Sequence, residues 1–317
     1  MANEIILWDK PQAEELYMIM GWRQWADAGS ASSELPLYLV KQENGRRIGE
    51  LRSDGFYLFQ FPGTHDLIRP VVKYQDGLPV SLDTPRNDLY YFENSQRGII
   101  VFIGDEPHLD VERYIGALLQ LVKQLRIRRV IGLGGVYGEL PYNKERSVTC
   151  SYSLPALKQV LTNLAVTFSN YHGGASIGSY FCRRAGEQGI DYVSLYALVP
   201  MYDFSNIAHV NQSIRIENDY MAWLGLMRRV NYLLKTNIDL EDLEKKSELL
   251  VKTVDQKLEE LENLAPQLGI RNYINRITSE FQEMPFIPLD DIWEEKLRGL
   301  LDKLEDDEEQ EDTPDDR

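Results

Sequence analysis

The sequence predicts an α/β protein: a mixed, largely parallel sheet flanked by helices, with an all-helical C-terminal extension. Two observations carry this prediction. Between Gly98 and Leu234, apolar runs of strand length alternate with amphipathic helical stripes. Near Asn237 the composition shifts, and helical periodicity alone continues from Leu240. The expected organisation is an α/β domain over 1–237, a helical extension over 238–304 packing on it, and a disordered acidic tail over 305–317.

Leu16 to Met20 is a short apolar run that reads as a buried strand ending at Gly21. Ile48 to Phe61 reads as a hairpin, because Asp54-Gly55 is a turn dipeptide between strand-like stretches. Arg69 to Pro85, rich in proline and turn residues, is expected to wrap the surface. Ile99 to Ile103 is a continuous β-branched and aromatic run, as in strands buried on both faces, and it stops at Gly104. A helix follows from Asp110 to Arg126; Val111, Tyr114, Ile115, Leu118, Leu119, Val122 and Leu125 trace one stripe, with Asp110 as a plausible N-cap. Val130 to Leu133 is the next strand and ends in Gly134-Gly135. Strand, helix and strand in this order form a βαβ unit, so the two strands should run parallel.

The alternation continues. Ser147 to Tyr152 is strand-like, Pro155 opens a helix to Leu164, and Ala165 to Ser169 returns as a strand. Gly173, Gly174 and Gly178 lead into a helix to Gln188. Tyr192 to Val199 is another buried strand, and Ile216 to Leu234 a long helix. Beyond Asn237, three helices are expected: Leu240 to Leu264, Tyr273 to Phe281, and Ile292 to Leu304, the last with Asp291 and Glu294 as a capping box. The first of these, with its leucine stripe, also invites an intermolecular zipper.

Charge narrows the function classes. The chain has 50 acidic and 34 basic residues, a formal net charge of -16. Nine acids and one base lie between Glu305 and Arg317, so that segment carries about half of the charge. An acidic body argues against nucleic acid and anionic membranes, which need a basic field. No apolar run reaches the roughly 20 residues of a membrane span, and Met1 to Lys10 has no signal-peptide pattern. Two cysteines, Cys150 and Cys182, make no disulfide framework, so a reduced cytoplasmic protein is expected.

Ligands of parallel sheets gather at the carboxyl ends of strands. Four loops occupy that position: Gly21 to Gly29, Gly104 to Pro107, Gly134 to Pro141, and His172 to Gly178. Gly132, Gly134 and Gly138 are no dinucleotide fingerprint, because Pro141 and a strand follow where a helix should open. The His172-Gly173-Gly174-Ala175-Ser176 turn runs into a helix; its amides suit an anion, or it is simply a tight strand-to-helix turn. Asp27, beside Gly29, either caps a helix or points into a cleft. Asp105 and Glu106 are adjacent carboxylates at a strand end, structural or available for acid–base or metal chemistry. The histidines His65, His108, His172 and His209 have no metal spacing, and no GxSxG elbow is present. Cys182 reads as a buried thiol. The residues expected to line a ligand cleft are Asp27, Gly29, Asp105, Glu106, Gly134, Gly135, His172, Gly173 and Gly174. No metal and no cofactor is expected, and the catalytic residues are unknown.

Several segments, taken in order, carry a family likeness. They are Gly21-Trp22 with Asp27-Ala28-Gly29; Arg69-Pro70; Gly104-Asp105-Glu106-Pro107; Gly132-Leu133-Gly134-Gly135 followed by Pro141; Tyr171-His172-Gly173 with Ile177-Gly178; and Val199-Pro200-Met201-Tyr202. Together they resemble the bacterial and archaeal relatives of the second proteasome assembly chaperone. The resemblance implies a phosphorylase/hydrolase-like fold and a homo-oligomer, with a trimer among the arrangements. It implies little about activity: the eukaryotic relative is a non-catalytic chaperone. Some prokaryotic relatives carry an ATP-grasp ligase label, but no ATP-grasp pattern is visible. Two departures stand out. Related sequences tend to carry His-Thr-Arg after the proline, where this chain has Tyr142-Asn143-Lys144. Relatives that dock on proteasomes end in a hydrophobic-Tyr-x tail, where this sequence ends Asp315-Asp316-Arg317, so docking by the C-terminus is not expected. The leading expectation is an oligomeric protein-interaction or assembly factor; its rival is an enzyme or binder of a nucleotide-like or anionic ligand at the strand-end loops.

Overall fold

The apolar runs of the sequence assemble into one mixed sheet, parallel at its centre. The structure, a computed structural model, describes residues 4–60, 69–203 and 213–286. In chain order the strands are β1 (Ile5–Leu7), β2 (Glu15–Arg23), β3 (Arg46–Leu51), β4 (Val71–Gln75), β5 (Leu78–Asp83), β6 (Asp88–Asn94), β7 (Arg97–Asp105), β8 (Arg129–Gly138), β9 (Val148–Tyr152), β10 (Thr167–Phe168), β11 (Tyr192–Asp203) and β12 (Ser213–Arg215). The α-helices are α1 (Glu34–Gln42), α2 (Val111–Gln124), α3 (Lys158–Thr162), α4 (Ile177–Glu187), α5 (Tyr220–Leu234), α6 (Glu241–Leu264) and α7 (Ile270–Glu280).

The main sheet runs β1-β3-β6-β7-β2-β8-β11-β9-β10, with β12 beside β11. β7, β2, β8 and β11 are mutually parallel neighbours, and β6 and β9 flank them antiparallel. The expected βαβ unit is present as β7-α2-β8, with β2 inserted between its two strands. Met18, Met20, Ile100, Phe102 and Val130 pack with the stripes of α2 and α4. Their alternates Ile19, Val101 and Ile131 are equally buried. They face the opposite side, which α1 and α5 cover through contacts with β2, β7, β8 and β11.

Packing outweighs capping in α2. Asp110 holds the N-cap position in a left-handed conformation (φ 55°) and makes no cap hydrogen bond; its carboxylate pairs with Arg113 instead. A missing cap costs about 0.5–2 kcal/mol, whereas each fully buried apolar side chain contributes about 1.5–3 kcal/mol. α2 buries Tyr114, Ile115, Leu118, Leu119, Leu121 and Val122.

Three other expectations are corrected. Among the described residues of the stretch from Ile48 to Phe61, which end at Gln60, there is no hairpin: after β3 the chain turns at 54–56 without returning as a strand by Gln60, and β3 pairs with β1 and β6. The hairpin lies instead in the segment expected to wrap the surface, where β4 and β5 pair around Asp76-Gly77, both with φ positive. β2 does not stop at Gly21 but continues to Arg23 beside Asp105 of β7.

Residues Met1–Pro285 form one compact unit, and Phe286–Arg317 a second. α6 lies in the first and buries Leu243, Val254 and Leu258 within its own chain. Its leucine stripe is therefore partly spent inside the molecule. Tyr38 donates to Asp242, Tyr142 to Asp255, and Arg228 pairs with Glu244. The expected helix over 292–304, its capping box and the acidic tail lie outside the described residues.

Arg146 and Asp219 are both fully buried and pair at 2.8 Å. Arg146→Met is expected to destabilise the protein by about 3–5 kcal/mol, since it strands a buried carboxylate. Urea unfolding would measure this as a lowered midpoint.

Candidate functional site

Because β2, β8 and β11 run parallel, their carboxyl ends open on one side of the sheet. A cleft of about 880 Å³ lies there. Its floor comes from β8 and β11 at Gly135, Val136, Tyr196 and Leu198. Its walls come from the 24–28 loop after β2, from β9 and β10, and from the turn before α4. Antiparallel pairing sets Thr149 of β9 opposite Tyr196, and parallel pairing sets Thr167 of β10 opposite Thr149. Ser176 caps α4 through Ser179 N and also hydrogen-bonds the Tyr196 hydroxyl, at 3.2 Å in each case. Trp25 and Tyr171 stand at the rim, 59% and 70% exposed.

The loop after β2 is strained. Gln24 (φ 93°), Ala26 (φ 54°) and Ser30 (φ 52°) hold positive φ without being glycine. Such residues cost on the order of 1–3 kcal/mol each and persist where surrounding structure fixes them. Here the anchors are explicit. The Asp27 carboxylate accepts from Ser32 N and Ser33 N, both at 2.9 Å, just ahead of α1. Gly135 N donates to Ala26 O at 2.8 Å. Gly29, at φ 62°, offers its carbonyl to Asp219 N and Trp223 Nε1. Two glycines make this packing possible: a Cβ on Gly135 would stand 2.0 Å from Ala28 O, and one on Gly29 would meet Asp219 Cβ at 2.8 Å.

The residues singled out in the sequence separate into groups. Asp27, Gly135 and Gly174 line the cleft. Gly134 lies beneath the Tyr196 ring, and Gly29 is packed behind the loop. Asp105 is buried and committed: Arg23 approaches it through Nε and Nη2, both at 2.8 Å, and Arg86 N donates to it at 2.7 Å. Glu106 turns the other way, into a recess of about 10 Å³ beside Trp22, Ser32 and Tyr192. That is the size of one water molecule. It accepts from Ile177 N at 2.7 Å. His172 and Gly173 are exposed and do not line the cleft. Asp27, Glu106 and His172 therefore do not converge on one pocket.

Electrostatics follow burial. Desolvation pushes the Glu106 carboxyl above its ordinary range, opposed by the Ile177 amide. Desolvation also raises Asp27, against the pull of its Ser33 and Ser32 hydrogen bonds. Burial drives the Cys150 thiol up to about 12 and Cys182 to about 11, leaving both unreactive at neutral pH. No lysine, arginine or histidine occurs among the described residues lining the cleft. No group of three or more His, Cys, Asp or Glu among the described residues is arranged to hold a metal ion. The arrangement suits contact with aromatic, apolar and hydroxyl-bearing surfaces; the nearby cations Arg215 and Lys158 lie over the rings of Tyr137 and Phe168 and are not among the lining residues.

Sequence reasoning missed Trp25, Tyr137 and Tyr171 at the rim and Thr149, Ser151 and Tyr196 inside. The rim had a legible signal, aromatic residues in glycine-flanked strand-end loops. The interior had none, because its hydroxyls come from mid-strand positions of β9 and β11.

Comparison with known proteins places these features. The model of the PAC2 family matches residues 21–258. A PAC2 family protein from Streptomyces avermitilis is 24% identical, with 76% of this chain and 95% of that one covered and a TM-score of 0.64. A Mycobacterium tuberculosis proteasome-assembly chaperone homologue is 22% identical, covering 80% and 99%, with a TM-score of 0.65. Pyrococcus furiosus PbaB, an archaeal proteasome activator, is 17% identical, covering 81% and 98%, with a TM-score of 0.54. At these identities the likeness is one of fold. No curated protein matches the sequence.

Glu106 yields a pH test. A carboxyl whose folded pKa lies above its unfolded value favours folding while protonated. That contribution is lost as pH rises from the ordinary 4.5 through the raised value. Glu106→Gln stays neutral and can still accept from Ile177 N. Its stability relative to the parent is expected to increase over that rise and then level off, as read by unfolding from about pH 4 to about pH 8. A difference independent of pH would contradict the desolvation of Glu106.

Proposed function

This chain belongs to the PAC2 family, and from that membership we propose that it is a protein-interaction factor that receives a segment of a partner polypeptide in the strand-end cleft. One observation carries the reading. The carboxylates at the strand ends are bound to the protein's own groups, Asp27 to Ser32 N and Ser33 N, Asp105 to Arg23, and Glu106 to Ile177 N. What the cleft presents is aromatic, apolar and hydroxyl surface rimmed by Trp25 and Tyr171. Aromatic anchors of this kind dominate protein recognition sites.

The fold neighbours support the reading by their own roles, one a proteasome activator and one a proteasome-assembly chaperone homologue. The net charge of -16 and Asp27, the one carboxylate among the described residues lining the cleft, favour a neutral or basic segment over an acidic one. No helix among the described residues is long and apolar enough to cross a membrane. Two buried free thiols fit a reducing cytoplasm. The same reading makes the chain a homo-oligomer, with a trimer as one arrangement. The helices beyond Ile238 serve as an extension packed on the α/β domain.

The cleft volume favours one alternative, a small-ligand site, since such sites span about 300–1,000 Å³. Of that class, a neutral ligand fits the lining better than a nucleotide or phosphate.

A photoreactive residue placed at Trp25 or Tyr171 is expected to capture a discrete polypeptide in native extract. The same residue at Leu249, exposed on α6, should not. Equal capture at both places would overturn the cleft as the docking site. Phosphate and nucleotides are expected to leave the melting temperature unchanged. A ligand at a hundredfold excess over its Kd would add about 2.7 kcal/mol, so a shift with ATP would favour the ligand reading instead.

A further inference from the structure

The recess of about 10 Å³ that Glu106 enters holds two polar groups short of partners. Glu106 accepts from Ile177 N through Oε1, at 2.7 Å. Among the described residues no donor reaches its other oxygen and no cation pairs with it. The Tyr192 hydroxyl is fully buried and has no hydrogen-bond partner among the described residues. The Ser194 hydroxyl beside it donates to Ser151 O instead, at 3.4 Å. Gly132 and Gly178 place the Tyr192 hydroxyl on the recess. Both line it, and a Cβ on them would stand 2.1 Å and 3.3 Å from the hydroxyl oxygen. A buried hydroxyl left unsatisfied is costly, and a desolvated carboxylate without a counter-charge is costlier. Desolvation is the leading influence on Glu106, opposed only by the Ile177 amide. Trp25, Ala26, Ser176 and Tyr196 line recess and cleft alike, so the two adjoin.

We propose that the recess takes one primary ammonium group, carried by the segment that the cleft receives. Charge and size select that ligand. An ammonium is a compact cation with three N–H donors and no acceptor. It supplies a donor and a counter-charge to the free Glu106 oxygen and a donor to the Tyr192 hydroxyl. A water molecule fills the same volume but leaves the carboxylate without a counter-charge. A guanidinium is a planar fork too broad for a space of this size. A divalent metal ion needs several hard or imidazole ligands, and no group of three or more His, Cys, Asp or Glu among the described residues could hold one. Trp22 and Trp25 contribute aromatic wall, which attracts cations. A lysine side chain and a free N-terminus both carry the group. The inference rests on the cleft reading and adds to it the group that anchors the segment.

Methylammonium tests the site without a partner polypeptide. Added to the full chain at neutral pH, it is expected to raise the melting temperature above that in tetramethylammonium at the same ionic strength. Tetramethylammonium has no N–H and is too large for the recess. In Glu106→Gln the difference between the salts should disappear. Tyr192→Phe removes only a hydroxyl without a partner, so the variant should fold as the parent does. It should bind methylammonium about tenfold more weakly, the loss of one hydrogen bond to a charged group. Two peptides separate the sources: one with blocked ends and an internal lysine, one without lysine and with a free N-terminus. The peptide that stabilises the parent but not Glu106→Gln names the source. If neither does, a polypeptide source is overturned. Equal melting in the two salts, or a methylammonium shift that Glu106→Gln retains, overturns the ammonium site and leaves the cleft reading standing. Failure of photocapture at Trp25 and Tyr171 with the methylammonium shift intact overturns the cleft reading instead.

Discussion

The architecture of the strand-end loops depends on one buried ion pair, Arg146 with Asp219. The guanidinium donates through Nε to Asp219 at 2.8 Å, and through Nη1 to the carbonyls of Pro141, Tyr142 and Lys144 at 3.2, 3.0 and 2.7 Å. It thereby shapes the loop that leaves β8. Asp219 accepts in addition from Met221 N and Ala222 N, which starts α5. Its own amide reaches Gly29 O at 3.1 Å. Three segments distant in sequence thus share one charge pair. A buried pair of this kind adds little net stability over an apolar substitute, because desolvation offsets its attraction. What it supplies is a single arrangement of donors and acceptors, since any other would leave a charge unpaired in the interior.

That framework explains how the 24–30 loop retains positive φ at Gln24, Ala26 and Ser30. The loop is fixed at both ends, by β2 pairing up to Arg23 and by Gly29 against Asp219. Asp27 and Gly135 secure its middle. A cleft wall held in this way would have little ordering entropy to lose on binding, which is the advantage of preorganisation. The same anchoring consumes the polar groups that chemistry would need. Asp27 and Asp105 sit where parallel sheets often place functional residues, yet both hold backbone or guanidinium groups in place.

Much of the sheet was legible because burial on both faces imposes a simple signal. Ile99–Ile103 and Val130–Leu133 are unbroken apolar runs, and α2 carries a full helical stripe. Edge elements were harder to read. β6 mixes Asp88, Glu93 and Asn94 with its aromatics, and β1 is three residues long. Asp54-Gly55 and Asp76-Gly77 are the same turn dipeptide, yet only the second closes a hairpin. The choice depends on tertiary pairing, since β3 finds its partners in β1 and β6. In the site, Asp27, Gly135 and Gly174 could be placed from their loops. Tyr196 and Thr149 could not, because only the β9–β11 register brings them together. His172 was misleading: its glycine-rich setting suggests a site, but the chain carries it past the rim.

The Arg146–Asp219 pair holds the cleft wall in its strained form. Hydrogen exchange of Arg146→Lys tests this directly, because the charge remains while the multiple guanidinium hydrogen bonds are lost. Exchange is expected to be faster at Ser32, Ser33 and Gly135 as well as at Asp219 and Ala222, with the amides of β7 and α2 unchanged. Faster exchange confined to residues 141–146, with Ser32, Ser33 and Gly135 as protected as before, would contradict it.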